Sequence, residues 1–566
     1  VCSLKNYRAR SALYETARAF GISPEEARTM SKRVPMFAEP DYLRQMPPQA
    51  GCLDIWKLAS ELDGVFAEIS LHVGGVILTP APVDRYLPLE KSAKGLLMCH
   101  YDRDTVEELQ LIKLDLLSTR GLTAIAETRK TLHLEHLPPA DRQTFTLLRE
   151  AKTIGCFQVE SPAMMNLLRR MKPENLDDLI HALALIRPGP TESGMKEAFL
   201  RRREGRASPS DPLLAKILPE TGGLMFYEEQ VMQVAERVAG FPPEEGELLR
   251  RQLKKRRVDE ALRRKFFDRA ESRGYAQAEI QELWQKMEKF SAYSFNRAHS
   301  ASYALMAYEA VYLKAHYPLV YMVAVLNAAG GYYQLPEYIE EAKRLGLTIL
   351  GPDVNRSGYR FEVEGKAIRV GLGSIKNLTA RSLEKIINER ERDGVYLSVE
   401  DFLGRVKPGQ SDLLALIQAG ALDSLEPNRS QQVLHYFHGV SEVEVADIND
   451  EEKKKLQLEK LGFLPAGDPL ELLNGRRPPL RVAHLRELSG QVVELAVRVV
   501  DAREIRTAKG LTYFYLFEDE SGQVEGVGQR KALAFGSPPV CFLRAEVRLQ
   551  SDSYPRLINC AFLSTF

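Results

Sequence analysis

Apolar residues recur at intervals of three and four through Ala12, Leu13, Ala17 and Phe20, and again through Leu53, Trp56 and Leu58. That spacing predicts helices over residues 1–60. The pattern then changes. SLHVGGVILTP, ending at Pro80, is a β-rich run carrying a Gly-Gly pair and bounded by Pro80 and Pro82. LQLIKLDLL (Leu109–Leu117) predicts another short strand, on which Lys113 and Asp115 share one face, roughly 6.6 Å apart between Cα atoms, while Ile112, Leu114 and Leu116 line the other. From Pro139 to about Ala328 helical periodicity dominates, broken by RPGP (Arg187–Pro190) and by Gly222–Gly223. Near Gly330–Gly331 the composition shifts, and residues 332–440 read as short helices with glycine-centred turns. The acidic and then lysine-rich stretch EVEVADINDEEKKK, within 438–460, reads as a solvated helix or linker. Residues 490–566 alternate as strands (VVELAVRVV, TYFYLFED, QVEGVG, FLRAEVRLQ) and predict a small barrel.

Length and composition narrow the function classes. A chain of 566 residues has room for several domains of about 100–200 residues each. Its longest nearly uncharged runs, Ala301–Leu313 and Leu319–Ala329, fall short of the roughly 18 residues that span a bilayer. The start, VCSLKNYRAR, has no signal-peptide pattern. The cysteines are scattered without a C-x-x-C, which argues against a disulfide scaffold or a standard zinc site and for a reducing cytosol. The expectation is therefore a cytoplasmic protein, neither membrane-bound nor secreted. Net charge is zero, so any nucleic-acid role must come from local basic patches. The first residue is valine rather than methionine, which leads us to expect a piece of a longer chain.

Six segments could carry chemistry. The Lys113/Asp115 pair suits a Mg²⁺–triphosphate site, the acid taking the hard cation and the lysine a phosphate; an exposed strand face with an ion pair is the alternative. Arg250–Arg273 holds eleven Lys/Arg against four Asp/Glu, an electrostatic footprint for phosphate, or else a solvated mixed-charge helix. Lys196–Arg206 offers the same two readings. In SFNRAHSASYALMAYEAVYLKAHYP, Asn296, Arg297, His299 and Ser300 lead into a helix whose free N–H groups would welcome an anion. His299 taken alone reads equally as a structural histidine, and Tyr303, Tyr308, Tyr312 and Tyr317 as packing residues. VGLGSIKNL resembles a helix-hairpin-helix turn, in which Gly371 and Gly373 let backbone amides approach a DNA phosphate and Lys376 adds charge; a helix cap and turn is the alternative. On the C-terminal strands Arg503, Arg506, Lys509, Tyr513 and Tyr515 mix cations and rings as single-strand-binding barrels do, unless the barrel packs on its own chain.

These segments occur in one order together with YRARSALYETARAFGI, IKLDLLSTRGL, IGCFQVESPAM, ALIRPGPTESGM, LMFYEEQVMQVAERVAGF, LLRRQLKKRR, ILGPDVNRS and LGFLPAGDPL. In that order the chain resembles the C-family bacterial DNA polymerases, the α subunit of DNA polymerase III. The resemblance implies a multidomain α+β protein: the C-terminal part of a palm (1–140), largely helical fingers (141–350), a helix-hairpin-helix module (351–440), a linker (441–480) and an oligonucleotide-binding (OB) barrel (481–566). It implies nucleotidyl transfer to a primer 3′-hydroxyl with two Mg²⁺ ions, acting on primer–template DNA and deoxynucleoside triphosphates. Asp115 matches the third of the family's metal-binding aspartates and Lys113 the lysine that faces the triphosphate. Arg250 and Arg251 match the fingers arginines near that triphosphate. Arg187 and the NRAHS segment fall where fingers approach nucleotide and DNA.

The departures matter as much. The sequence holds no PD-x-D-x-D-F motif for the first two aspartates, since Pro352-Asp353 belongs to a different segment. An amino-terminal phosphoesterase-like domain and the early-palm Gly/Ser loop are also lacking, and the chain stops just after the barrel, as in error-prone or accessory relatives. Lys254 stands where many relatives have glycine, and Asp468 replaces the histidine of S-G-H-P-L. A truncated or split polymerase is therefore the expectation, active only with its upstream half; a non-catalytic DNA-binding scaffold is the alternative. QQVLHYF (Gln431–Phe437) loosely resembles a sliding-clamp-binding peptide, or is an ordinary amphipathic helix.

Overall fold

The computed structural model describes residues 1–566 apart from 33, 35–41, 46–52, 117–118, 188–193, 209–210, 256, 292–294, 439–443, 474–477, 508–509, 530–539, 550–553 and 564–566, and apart from the side chains of 291, 437–438 and 505–510. The chain divides into two compact units, Val1–Thr119 and Arg120–Phe566.

In the first unit, the helices Ala9–Ala19, Pro24–Lys32 and Leu53–Leu62 bury Ala12, Leu13, Ala17, Ile55, Trp56 and Ala59 in a small core, whereas Phe20, Leu53 and Leu58, read into the same 3–4 pattern, are exposed. A strand precedes them where helix was expected: β1 (Cys2–Asn6) pairs antiparallel with β2 (Phe66–Leu71). Its last three side chains are exposed, so it carries little of the apolar alternation by which a strand is read. The SLHVGGVILTP run is not one strand. It ends β2, turns, and forms β3 (Gly75–Leu78), whose partner is β6 (Ile112–Asp115), while β4 (Leu89–Lys91) pairs with β5 (Leu97–Cys99). Each of these sheets has two strands. The expected apolar face of β6 exists but is open: Ile112 is 62% exposed, and Leu114, Leu116, Val76 and Leu78 are exposed with it.

In the second unit one continuous core runs from Ala124 to Phe463 and takes in Leu516. At its centre lies the helix Arg297–His316, with Ala304, Ala307, Tyr308, Val311 and Leu313 buried. The Tyr308 hydroxyl donates to the Pro138 carbonyl at 2.7 Å, which makes it a packing residue as read. Beyond Gly330–Gly331 the structure adds a three-stranded sheet that the turns concealed, β7 (Thr348–Leu350), β8 (Glu362–Glu364) and β9 (Ala367–Arg369) in the order β7-β9-β8. Four short helices follow, Ala380–Asp393, Val399–Val406, Gln410–Ala419 and Arg429–His438. In the stretch read as a solvated helix or linker, the helix Asp450–Leu461, capped by Asn449, is largely half-exposed and lies against Gln410–Ala419, and Leu461, Phe463, Leu464 and Leu470 are buried. The C-terminal strands β10 (Val492–Thr507), β11 (Gly510–Asp519), β12 (Gly522–Gly528), β13 (Val540–Leu549) and β14 (Pro555–Phe562) close a barrel in the order β10-β11-β12-β14-β13 around Leu495, Val497, Phe517, Leu543 and Leu557. Closure of this five-stranded barrel, antiparallel except for the parallel β12–β14 pair, removes exposed edges and is an OB-like solution.

A chain of buried charges joins barrel to helices. Lys314 Nζ, with no side-chain exposure, donates to Lys152 O (3.0 Å), Ile154 O (2.7 Å) and Glu341 Oε1 (2.5 Å). Arg344 links Glu341 to Glu518 at 3.0 and 2.7 Å, and Arg498 donates to the other Glu518 oxygen at 2.7 Å. Among the described residues no helix is long and apolar enough to cross a membrane.

Candidate functional site

In the first unit, Lys113 and Asp115 share a face of β6 as the alternation predicts, Lys113 opposite Ile77 and Asp115 opposite Gly75. The Lys113 ammonium donates to both Asp115 oxygens at 2.7 Å, and this bond holds the carboxyl below the usual carboxylate range. His72 Nδ1 lies 3.9 Å from Asp115, but it accepts the Gly74 and Gly75 N–H groups at 3.2 and 2.7 Å and so has no proton to offer the carboxylate. A Cβ at Gly75 would come within 2.8 Å of that nitrogen, so only glycine lets β3 approach the ring. Asp115 supplies a single carboxylate, and among the described residues no group of three or more His, Cys, Asp or Glu side chains could hold a metal ion. Two divalent ions about 3.5–4 Å apart need shared carboxylates, which one aspartate cannot provide. The residues present therefore do not by themselves fit the two-ion Mg²⁺ site that the resemblance implies.

In the second unit, residues far apart in sequence meet around a bridge between Tyr227 and Phe295, where the Glu228 N–H donates to Phe295 O at 2.9 Å. The Arg187 guanidinium sits 4.0 Å above the Phe295 ring. Phe295 and Tyr303 flank His299 at 5.1 and 4.4 Å, and partial burial, with the Arg187 charge second, lowers the His299 pKa. Asn296 caps the following helix, accepting the His299 N–H at 3.0 Å. The anion expected at this helix start is already supplied by the chain: both Glu229 oxygens lie 3.1 Å from the Arg297 N–H. The Arg297 guanidinium lies over Tyr227 and reaches Asp177 at 3.3 Å.

Arg250 and Arg251 are drawn into a line of alternating charge on the helix Pro243–Lys254. Glu247 accepts from Arg250 at 2.7 and 2.8 Å and from Arg251 at 2.6 Å, and these bonds pull its carboxyl down to about 2. Arg250 also donates to Glu228, whose other oxygen accepts from Lys254. The order is Lys254–Glu228–Arg250–Glu247–Arg251. Of these the i,i+3 and i,i+4 pairs with Glu247 are legible in the sequence; Glu228 reaches this line only through tertiary packing and was missed, as was Glu229. In the Lys196–Arg206 cluster the structural reading prevails. Arg203 forms two bonds with Asp178 at 2.6 and 2.8 Å, and Glu197 accepts from Arg170.

Three other segments singled out in the sequence are placed as follows. The amides of VGLGSIKNL do not face outward: the N–H of Leu372, Gly373 and Lys376 donate to Gly358, Tyr359 and Lys460 carbonyls, and Lys376 Nζ to Glu459 O at 3.3 Å. A Cβ on Gly371 would strike the Arg360 backbone, and one on Gly373 the Tyr359 carbonyl oxygen at 2.7 Å. These glycines are needed for close packing within the chain. The QQVLHYF string is held in the helix Arg429–His438, where Gln432 is fully buried and donates to Glu426 O at 2.5 Å. On the barrel, Tyr513 stacks on Tyr515 at 6.2 Å, and Arg503 bonds Asp501 and the Tyr332 hydroxyl. A crevice of about 470 Å³ lies there between Ser161–Ala163 and β11–β12. The Arg506 side chain and Lys509 fall outside the described residues.

Comparison with known proteins agrees with this architecture. Family models match in chain order: the bacterial DNA polymerase III alpha NTPase domain over residues 1–118, the bacterial DNA polymerase III alpha subunit finger domain over 115–274, and a helix-hairpin-helix motif over 346–432. The α subunit of DNA polymerase III from Thermus aquaticus is 32% identical over 94% of this chain and 48% of its own. That from Aquifex aeolicus is 32% identical over 83% and 43%, and an error-prone DNA polymerase from Bdellovibrio bacteriovorus is 31% identical over 93% and 55%. The chain belongs to the bacterial C-family of DNA polymerase III α subunits. It spans about half the length of the curated relatives it matches.

Proposed function

We propose that residues 1–566 act as the carboxy-terminal half of a DNA-templated DNA polymerase. In the reaction a primer 3′-hydroxyl attacks the α-phosphate of a deoxynucleoside triphosphate, the bond to the β-phosphate breaks and pyrophosphate leaves. The observation that carries this reading is the cationic face of the second unit, where Arg250, Arg251 and Lys254 are lined up by carboxylates. Arginine suits such a task because its planar fork meets phosphate oxygens in pairs. Within the second unit Arg187, with Asn296, Arg297 and His299, would meet nucleotide or DNA; in the first unit Lys113 would offer its charge to a phosphate.

The single carboxylate at Asp115 leads us to expect no primer extension by residues 1–566 alone. An upstream half carrying further carboxylates would be required, and the open apolar face of β3 and β6 supports such a partner. Keeping a buried-stem lysine beside Asp115 favours this reading over a scaffold that only binds DNA.

Nucleotide binding tests the cationic face without needing catalysis. dATP titrated into residues 1–566 should bind about tenfold or more weakly to Arg250→Ala, the loss of one charge-assisted pair. Arg203→Ala, whose guanidinium is spent on Asp178, should bind as the parent does. Equal affinity of the Arg250 variant and the parent would contradict the reading.

A further inference from the structure

The line Lys254–Glu228–Arg250–Glu247–Arg251 holds three cations and two carboxylates, and its two ends are both cationic. The ends differ from the middle. Arg250 is mostly buried and engages both carboxylates, whereas Lys254 and Arg251 are 54% and 69% exposed. Glu228 has the opposite character: its carboxylate is only 9% exposed, yet it is shared by two cations that arrive from another helix. It stands at the first turn of the helix Glu228–Ala239, beside the Phe295 bridge that also carries Arg187. A carboxylate so placed does two things. It fixes Arg250 and Lys254 toward one point, and it occupies the position at which an oxyanion would meet both.

We propose that Lys254 is a third cation of the polyphosphate-binding face, and that Glu228 is its positioning residue, an internal anion that an incoming phosphate displaces. This rests on the reading of that face as nucleotide-binding. The ligand chemistry is a chain of linked phosphates, which can bring one oxyanion to each of three cations in a row. Displacement is favourable because the line carries a net positive charge, and because a polyphosphate brings several charges where Glu228 brings one.

The test is calorimetric titration of inorganic tripolyphosphate into residues 1–566 at moderate ionic strength, in parallel with a primer–template duplex. Lys254→Ala, at an exposed side chain, should weaken tripolyphosphate binding about fivefold, and Glu228→Gln should tighten it by a similar factor. The sign is diagnostic. A carboxylate serving only as a structural anchor would give weaker binding when neutralised, whereas a competing anion gives stronger binding. Unchanged affinity in Lys254→Ala, or weakened affinity in Glu228→Gln, overturns the proposal. So does a Lys254→Ala variant that loses duplex affinity while keeping tripolyphosphate, which would assign the lysine to a DNA backbone phosphate instead. Arg250→Ala separates the two levels. If it weakens tripolyphosphate and the other two variants do nothing, only this inference fails; if it too has no effect, the nucleotide-binding reading fails with it.

Discussion

Lys314→Ala is expected to destabilise the second unit by about 3–5 kcal/mol, the usual cost of breaking a buried ion pair from one side. The ammonium has no exposure and uses all three donors, on two carbonyls and on Glu341. Removing it leaves the Lys152 and Ile154 carbonyls without their donor and leaves Glu341, 8% exposed, to Arg344 alone. Arg344 already spends Nε on Glu341 and Nη1 on Glu518, which is fully buried and also held by Arg498. The disturbance should therefore pass along the chain to the barrel. Urea unfolding of residues 1–566, followed by a probe in the barrel and one in the helices, should show both transitions moving to lower denaturant. A loss below about 1 kcal/mol would mean that Arg344 satisfies Glu341 by itself.

Glu337→Gln should do the reverse, and only above acid pH. Burial, with the Glu518 charge second, pushes the Glu337 carboxyl up from an ordinary 4.5 to about 7; Arg498 and the Gln334 N–H oppose the shift. A carboxyl whose folded pKa is raised costs nothing while protonated in both states. The penalty appears as pH rises through 4.5, grows until about 7 and is constant beyond, reaching at most about 3 kcal/mol. Glutamine keeps the acceptor for Gln334 and removes the charge. Thermal melts of parent and variant should coincide near pH 4.5 and diverge to a fixed gap above pH 7, with the variant more stable. A gap independent of pH would contradict the assignment.

What could be read from the sequence depended on how locally each feature is determined. The barrel was legible because its strands alternate in their own residues, as in VVELAVRVV, and the central helix because YALMAYEAVYL keeps apolar positions in step. β1 was not, because a strand with exposed side chains has no pattern. The 441–480 stretch misled because a helix rich in Glu and Lys looks solvated, although Leu461 and Phe463 at its end are buried. Gly371 and Gly373 illustrate a different limit: glycine announces a close approach, but not whether the approaching group is a phosphate or the Tyr359–Arg360 backbone. At the cationic face the arginines were named and their counter-ions were not. Glu247 lies three and four residues away on the same helix, while Glu228 is brought to Lys254 across 26 residues by packing of the helices Glu228–Ala239 and Pro243–Lys254.

The central claim, half of a polymerase with Asp115 as one of several required carboxylates, is tested most directly by primer extension with Mg²⁺ and four deoxynucleoside triphosphates. Residues 1–566 would be assayed alone, and again joined to an upstream half that carries the missing carboxylates. The account predicts extension only by the joined protein, and its loss in Asp115→Ala. Extension by residues 1–566 alone, or a joined Asp115→Ala protein as active as the parent, would contradict it.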